Sequence, residues 1–266
     1  MSLTDEESRK IDRIVDLLSD CRSLLFITGA GISADSGLPT YRGIGGLYDV
    51  EQTEDGLAIE EILSGPMIRR DPELTWKYLI QIARAARGAR PNRGHEVIAA
   101  MERQLERVWT LTQNVDGLHR AAGSQKLIEI HGDLHDIYCV KCDYRQHVTD
   151  YDAIEFPPRC PECRSILRPD VVLFGEFLPP DKVQRLFAEC RRGFDAVLSI
   201  GTTSVFPYIV EPVRQAQLRG RPTIEINPGE TTISGVVDIK LAVRAAPALD
   251  AIWTRYRQRQ EDSTVK

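Results

Sequence analysis

Residues 23–31 read SLLFITGAG, a short apolar run that passes directly into a turn containing two glycines. A strand that is buried on both faces of a parallel sheet is hydrophobic without alternation, so the run predicts such a strand over residues 23–28. Gly29 and Gly31 allow the backbone to turn tightly into the helix that follows. The stretch is therefore typical of the first strand and turn of an α/β fold.

Four more apolar runs follow along the chain, and each ends at polar residues or at glycine. They cover residues 108–112, 127–130, 196–200 and 223–226. Helical periodicity lies around them, over residues 5–19, 93–106, 180–191, about 207–219 and about 247–258. This alternation predicts a mostly parallel sheet that is covered by helices on both faces. Such sheets bind ligands beyond the carboxyl ends of their strands, which is where the polar residues and glycines fall.

Length and charge narrow the class of protein. The chain has 266 residues, which suits one large domain carrying a smaller insertion. Its net charge of -5 argues against binding to nucleic acid or to an anionic membrane, since both need a basic face. No apolar stretch approaches the roughly 20 residues that span a bilayer, and the N-terminal sequence MSLTDEESRK is neither a signal nor a transit peptide. We expect a cytoplasmic protein with no direct nucleic-acid or membrane partner, and a monomer.

Four of the six cysteines form two close pairs, Cys139-x-x-Cys142 and Cys160-x-x-Cys163, with 17 residues between the pairs. Four thiolates complete a zinc tetrahedron and leave no position open for water or substrate, so the predicted zinc ion is structural. Two alternatives stay open: a redox role for one pair, and a zinc ribbon that binds nucleic acid. A structural zinc ion is the better interpretation, because it explains both cysteine pairs together and because the overall charge opposes binding to nucleic acid.

The polar residues and glycines at the strand ends are the candidates for ligand binding and catalysis. Backbone N–H groups of the turn that begins at Gly29 are able to approach a pyrophosphate, although a tight turn without a ligand remains an alternative. Asn114 and Asp116 suit hydrogen bonds to a carboxamide or a ribose, or alternatively cap a turn. His131 is either a packed side chain or a general base, a task for which the ordinary pKa of histidine is suited at neutral pH.

Taken together, these motifs resemble the signature of the sirtuin family. The segments GAGISADSGLPTYR at 29–42 and TQNVDGLH at 112–119 carry most of the resemblance. His131-Gly132, the two cysteine pairs, and the segments FGE, GTT and EIN follow in the family's order. The resemblance covers about residues 20–250. It implies a zinc-containing, NAD-dependent protein-lysine deacylase.

The resemblance also implies a division of the chain. A Rossmann-like, NAD-binding domain would comprise residues 1–42, 89–135 and 169–266. A smaller domain would combine a helical module, 43–88, with a zinc-binding module, 136–168. NAD and an acyl-lysine peptide or protein would then meet in the cleft between the two domains.

The residues that the resemblance assigns to the site fall into four groups. His131 is the catalytic base, and Asn114 and Asp116 act beside it. The NAD-binding residues are Gly29, Ala30, Gly31, Ser33, Asp35, Tyr41, Arg42, Gln113, Asn114, Asp116, Gly201, Thr202, Thr203 and Asn227. The peptide would add as a strand along residues that include Val172, Phe174, Gly175, Glu176 and Val205. One zinc ion would be held by Cys139, Cys142, Cys160 and Cys163.

The implied reaction consumes NAD. The acyl oxygen of the modified lysine attacks the ribose as nicotinamide leaves, and His131 then deprotonates a ribose hydroxyl. The products are nicotinamide, free lysine and O-acyl-ADP-ribose, with a loop at residues 43–46 closing over NAD to exclude water.

The helical module bears on the choice of acyl group. Family members that prefer succinyl- or malonyl-lysine carry a Tyr and an Arg there, and the corresponding positions are Leu79 and Ile82. A carboxylate on the acyl chain would meet no cation, so we expect neutral acyl groups, acetyl or longer. Two alternative functions remain at this point: protein mono-ADP-ribosyl transfer on the same scaffold, and a non-catalytic NAD-sensing or zinc-ribbon module.

Overall fold

The structure, a computed structural model, describes residues 3–40 and 52–264. Within these ranges the strands are Ser23–Thr28 (β1), Arg107–Thr112 (β2), Leu127–Glu129 (β3), Gly132–Cys139 (β4), Arg145–His147 (β5), Leu167–Val171 (β6), Ala196–Ile200 (β7), Thr223–Ile226 (β8) and Ile239–Leu241 (β9). The helices are Asp5–Ser19 (α1), Ala30–Ser33 (α2), Ile59–Ile62 (α3), Gly65–Arg70 (α4), Pro72–Ala85 (α5), Arg93–Gln104 (α6), Leu118–Ala121 (α7), Pro180–Arg192 (α8), Pro207–Leu218 (α9) and Ala245–Thr264 (α10).

The main sheet has six strands in the order β3-β2-β1-β7-β8-β9, and every neighbouring pair is parallel. Counted among the strands of this sheet alone, the order is 3-2-1-4-5-6, which is that of the Rossmann fold. The predicted α/β fold with a parallel sheet is therefore confirmed. The order reverses between β1 and β7, so the ligand crevice of such a sheet opens beyond the ends of these two strands.

Helices cover the sheet on both faces, as the unbroken apolar run of β1 predicts. Leu24 and Phe26 point into a core shared with α1, α6 and α10. Leu25 and Ile27, which alternate with them, point into a second core shared with α8 and α9. All four side chains are almost completely buried. The strand is hydrophobic at consecutive positions because each of its faces has a core of its own.

The five strands predicted for the main sheet are present, with ends that differ by one residue at β2 and β3. Strand β9 was not predicted. It has three residues, and the middle one is Lys240. So short a segment has no readable period, and it becomes a strand only because β8 offers its free edge.

The C-terminal helix α10 is longer than its predicted span of about 247–258, since it continues to Thr264. It packs on α1 and α6 through apolar residues that include Leu249 and Ile252. In the ranges 3–40 and 52–264, no helix combines the length and the hydrophobicity that crossing a bilayer requires.

A second, antiparallel sheet has the order β5-β4-β6 and shares its apolar core with α3, α4 and α5. Trp76 of α5 is 1% exposed and donates a hydrogen bond of 2.8 Å from Nε1 to the carbonyl of Leu167 in β6. The helical and cysteine-bearing segments thus pack against each other although they are far apart in sequence. The division into domains stays a prediction, and β4 begins at Gly132, ahead of the predicted start of the zinc module at 136.

Candidate active site

The loops that follow β1 and β7 touch at the point where the strand order reverses. Gly31 donates a backbone hydrogen bond of 2.8 Å to the carbonyl of Gly201. A Cβ atom placed on Gly31 would lie 2.5 Å from the Cα of Gly201, and Gly201 itself has φ of +59°. The glycines therefore allow two backbones to approach more closely than side chains permit. Together the two loops form one wall of the crevice.

Replacing Gly31 with alanine should lower the free energy of unfolding by about 1–3 kcal/mol, because the new methyl group meets backbone atoms that cannot rotate away. Gly235→Ala is the matched control, since a Cβ there has no heavy atom within 4 Å. Urea denaturation of both variants measures the difference. Equal stability of the two would contradict this account of the contact between the loops.

Asn114, Ser33 and Asp116 form a hydrogen-bonded chain behind this wall. The amide nitrogen of Asn114 donates to the carbonyl of Gly29 and to the hydroxyl of Ser33, both at 3.1 Å. Ser33 in turn donates to Asp116 at 2.7 Å, and Leu118 N–H donates to the other carboxylate oxygen at 3.0 Å. Burial raises the pKa of the Asp116 carboxyl. Four predicted site residues from two strand ends are thus brought together.

Gln113 connects the crevice to His131. Its backbone N–H donates to Thr28 at 3.0 Å, and its side-chain amide donates to the hydroxyl of Thr202 at 2.7 Å. Its carbonyl lies 3.0 Å from Nδ1 of His131. Because a carbonyl only accepts hydrogen bonds, Nδ1 carries the ring proton and Nε2 keeps its lone pair. Gln113 is therefore the single residue that links the imidazole to Thr202 in the loop after β7, which forms part of the glycine-lined wall.

Burial lowers the pKa of the His131 imidazole below its ordinary value, which differs from the sequence-based assumption of an ordinary pKa. The positive charge of Lys182 acts in the same direction, while the hydrogen bond to Gln113 opposes it. The imidazole is accordingly neutral at neutral pH. It holds an unprotonated Nε2 and has the chemical character of a base.

Tyr208 is a neighbour of His131 that sequence reasoning missed. Its hydroxyl oxygen lies 2.6 Å from Nε2 of His131. The two residues are 77 positions apart in the chain, and Tyr208 belongs to none of the recognised motifs. No pattern in the sequence points to this contact, because it depends on how α9 packs beside the end of β3.

The residues predicted for the adenosine end lie together beyond β7 and β8. Thr202 is buried, and its carbonyl accepts a hydrogen bond of 3.0 Å from the side chain of Asn227. Thr203 is exposed beside them. The predicted Tyr41 and Arg42, and the loop at 43–46, lie outside the described residues.

Asp35 has a structural contact that its predicted role does not include. One carboxylate oxygen is 2.7 Å from Arg244, and the other accepts a hydrogen bond of 2.9 Å from the backbone of Ala246. Asp35 thereby joins the turn after α2 to the first residues of α10. The stretch around Ala246 therefore lies beside the crevice.

Asn92 shapes the same turn and was not predicted. Its side-chain amide donates to the carbonyl of Ile32 at 2.7 Å and to the hydroxyl of Ser36 at 2.9 Å. It also caps α6, whose third residue is His95. The cap is recognisable from sequence as an asparagine just before a helix, but its second task, holding the glycine turn, is not.

The two segments predicted to hold a peptide flank His131 in the structure. Val172 donates a backbone hydrogen bond of 2.8 Å to the carbonyl of His131, and the ring of Phe206 lies 6.2 Å from the imidazole. Phe174 and Val205 are 42% and 52% exposed, which leaves apolar surface on both sides. Glu176 is exposed much less because Arg168 binds its carboxylate through two hydrogen bonds, of 2.8 and 2.9 Å.

A cavity of about 460 Å³ opens between the crevice and the second sheet. Ser33, Asn114 and Asp116 line one side, and Ile82 and His135 line the other. Leu79, the other position predicted to contact the acyl chain, is 3% exposed and lies in the core of the small module, by which we mean the second sheet together with α3, α4 and α5. Of this pair, the structure brings only Ile82 to the cavity.

The four cysteines of the two pairs converge on one point. Their sulfur atoms all lie within 4.8 Å of one another, with Cys139 and Cys163 at 3.4 Å and Cys142 and Cys160 at 3.5 Å. A tetrahedral zinc ion with bonds of about 2.3 Å separates its sulfur ligands by about 3.8 Å. The cluster therefore fits zinc, and the four sulfurs leave no further position open. Such an ion is structural.

The strand order and the crevice at its reversal define a protein of the Rossmann class, which here carries a second module built around a four-cysteine zinc site. Residues 29–207 match the model of the Sir2 family. The chain is also 51% identical to NAD-dependent protein deacylase 2 of Pseudomonas aeruginosa, over 88% of this chain and 93% of that protein. The chain therefore belongs to the Sir2 family, and the resemblance to sirtuins is confirmed.

Solved structures agree with this assignment. A mutant Sir2 homologue in complex with 2'-O-acetyl ADP ribose superposes with a TM-score of 0.83 at 33% identity, over 93% of this chain and 97% of that chain. A Sir2 structure described as a complex with p53 peptide and NAD+ superposes with a TM-score of 0.77 at 26% identity, over 96% and 99% of the two chains. The fold is thus that of Sir2 proteins over more than nine-tenths of the chain.

Proposed function

We propose that this protein removes acyl groups from lysine side chains of proteins while consuming NAD, and that it releases nicotinamide and O-acyl-ADP-ribose. The observation that carries the proposal is the position of His131, whose Nδ1 lies 3.0 Å from the carbonyl of Gln113, while the side chain of Gln113 donates to Thr202 at the glycine-lined crevice. The relatives, which are named as a deacylase and as complexes with NAD+ and acetyl ADP ribose, support the same reaction.

Each group at the crevice has a task in this reaction. The loops at Gly29 and Gly201 would hold the phosphates and sugars of NAD, with Asn227 towards the adenosine end. Asn114 and Asp116 would bind the N–H groups of the nicotinamide carboxamide through the Asp116 carboxylate and the side-chain oxygen of Asn114, since the amide nitrogen of Asn114 already donates to Gly29 and Ser33. NAD supplies a ribose carbon from which nicotinamide departs, and His131 takes the proton of a ribose hydroxyl.

The peptide would lie between residues 172–176 and residues 204–206, as an added strand that tolerates many sequences. The N–H and C=O of Phe174 already pair with Leu63 and Gly65 of the small module. The peptide would therefore use other main-chain groups of the segment, such as those of Gly175. The acidic net charge of the chain supports a protein partner over nucleic acid. Compartment and oligomeric state stay predictions.

The proposal is tested by mixing the protein, NAD and an acetyl-lysine peptide, and by following nicotinamide and peptide together. Nicotinamide and deacetylated peptide should appear in equal amounts, with O-acetyl-ADP-ribose as the third product. Absence of activity across a panel of acyl groups would overturn the proposal. Mass spectrometry showing a protein that gains ADP-ribose without loss of an acyl group would favour ADP-ribosyl transfer instead.

Neutral acyl groups should be preferred over dicarboxylic ones. Ile82 adds apolar surface to the cavity, and the three arginines that line it, Arg84, Arg87 and Arg120, are already paired with Asp152, Asp150 and Glu129. An unpaired carboxylate at this place loses solvation without gaining a partner. We expect kcat/KM for an acetyl-peptide to exceed that for a succinyl-peptide by at least about tenfold, which corresponds to about 1.4 kcal/mol.

Ile82→Arg provides the matched comparison, because it adds a cation at the cavity and should narrow the ratio of acetyl to succinyl turnover. Competition between the two peptides in one reaction measures that ratio directly. Equal turnover of the two peptides by the unchanged protein would contradict the prediction.

A further inference from the structure

Both ring nitrogens of His131 have a hydrogen-bond partner. Only the partner of Nδ1, a carbonyl, is restricted to accepting the hydrogen bond. Nδ1 donates to the carbonyl of Gln113 at 3.0 Å, which leaves Nε2 with a lone pair. At 2.6 Å from that lone pair lies the hydroxyl oxygen of Tyr208. Nε2 cannot donate in this tautomer, so the tyrosine O–H is the donor. The nitrogen that acts as base therefore already holds a hydrogen-bond partner.

Tyr208 is held firmly in this position. It is the second residue of α9, and its ring stacks on that of Phe206 with centroids 5.4 Å apart. Burial raises the pKa of the Tyr208 phenol to about 12, so it keeps its proton at neutral pH. Among the residues that the structure describes, the charged side chain that acts on the imidazole is Lys182 of α8, whose Nζ donates to the carbonyl of Glu129.

A base whose accepting atom is occupied has two ways to work: the partner leaves, or the partner passes the proton on. A hydroxyl group donates one hydrogen bond and accepts up to two, so Tyr208 is able to accept from a substrate hydroxyl while it donates to Nε2. The firm packing of its ring favours the second way, because leaving would break the stack with Phe206.

We propose that Tyr208 is a catalytic residue that relays the proton of the ribose hydroxyl to His131; this rests on the proposed deacylase function. The O–H bond of the ribose hydroxyl breaks as a new O–H bond forms on Tyr208. The original phenol O–H bond breaks at the same time, and an N–H bond forms on Nε2. Tyr208 is neutral before and after the step, and the net change is one proton moved from the sugar to the imidazole.

After the proton transfer, the hydrogen bond between His131 and Tyr208 is kept with its direction reversed. Once protonated, Nε2 donates a hydrogen bond and Tyr208 accepts it, because the hydroxyl serves in either direction. Hydrogen bonds to a charged donor are roughly twice as strong as neutral ones. Tyr208 therefore stabilises the imidazolium more than the neutral imidazole. Without the hydroxyl, the pKa of His131 should be lower still.

The test uses the full chain with Tyr208→Phe, which keeps the ring and its stacking and removes only the hydroxyl. Deacylation in a single turnover should slow by at least about tenfold, within the range that general base catalysis contributes. Exchange of labelled nicotinamide into NAD, which precedes the proton transfer, should stay within about twofold of the unchanged protein. Tyr144→Phe, which removes a hydroxyl bonded to Gln146 in the small module, is the control and should alter neither rate.

A second measurement needs no NAD. Titration of the His131 ring by NMR in the free protein should give a lower pKa in Tyr208→Phe than in the unchanged protein or in Tyr144→Phe. If the unchanged protein showed no deacylase activity, the proposed deacylase function itself would be wrong. If the unchanged protein were active and Tyr208→Phe were equally active, only the relay would be wrong.

Three results would overturn the relay. Deacylation by Tyr208→Phe at the original rate or faster would mean that the hydroxyl leaves Nε2 before the reaction. Loss of nicotinamide exchange together with deacylation would mean that Tyr208 only supports the site. An unchanged pKa of His131 would mean that the hydroxyl does not stabilise the imidazolium.

Discussion

His131→Ala is expected to reduce kcat for deacylation by about 100- to 10,000-fold, the range that a positioned general base contributes. The alanine variant keeps the glycine-lined wall, since Gly31 and Gly201 contact each other through their backbones. It loses the unprotonated nitrogen that takes the ribose proton. Nicotinamide exchange should survive, because it precedes that proton transfer. Quantifying both reactions on the same preparation checks the prediction.

His147→Ala is the control, because it removes an imidazole that also lines the cavity but belongs to an exposed histidine of β5 and pairs with Asp136. It should change kcat little. If His131→Ala kept most of its turnover while remaining folded, His131 would not be the base, and a non-catalytic NAD-sensing module would become the better interpretation.

Cys160→Ser is expected to release the zinc ion and to abolish the fold of the small module, with activity falling to a few per cent or less. Cys160 is completely buried in the apolar core that also contains Trp76 and Leu167. Structural zinc contributes about 10–16 kcal/mol to the folding of small metal-bound modules. Half of the cavity wall, including Ile82, would be lost with the module.

Zinc content per chain and near-UV circular dichroism measure this effect. Cys190→Ala is the matched control, because Cys190 is a buried thiol of α8 that lies outside the cluster. It should keep one zinc per chain and lose only the small amount of stability that a missing thiol costs. A Cys160→Ser variant with full zinc content and activity would contradict the structural role of the cluster.

The main sheet was predictable because its signals are local. Each strand from β1 to β8 of this sheet is an apolar run next to a helical period, which predicts a parallel sheet with helical connections, whereas the order of the strands comes from the structure. The cysteine cluster was predictable for a related reason, since ligand spacing within each pair is a property of a few adjacent residues. Three-residue β9 escaped prediction because it is too short to have a period.

The sequence assigns candidate residues to the site, but it does not give the contacts among them. Sequence motifs assigned Gln113 and His131 to one region, yet only the packed structure shows that the carbonyl of Gln113 sets the tautomer of His131. Leu79 and Ile82 were assigned to the acyl chain together, whereas packing turns Leu79 into the core. Residues three apart on a helix share a face only approximately, and the neighbouring elements decide which of them meets the cavity.

The sequence by itself determined the local elements, the four zinc ligands and the set of residues at the strand ends, because each of these depends on residues a few positions apart. Only the tertiary structure decided which of these residues touch: that Tyr208 bonds to His131, that Asp35 reaches the start of α10, and that two glycine loops close on each other. The physical reason is that such contacts join residues many tens of positions apart. They arise from the packing of whole helices and strands, which no local pattern records.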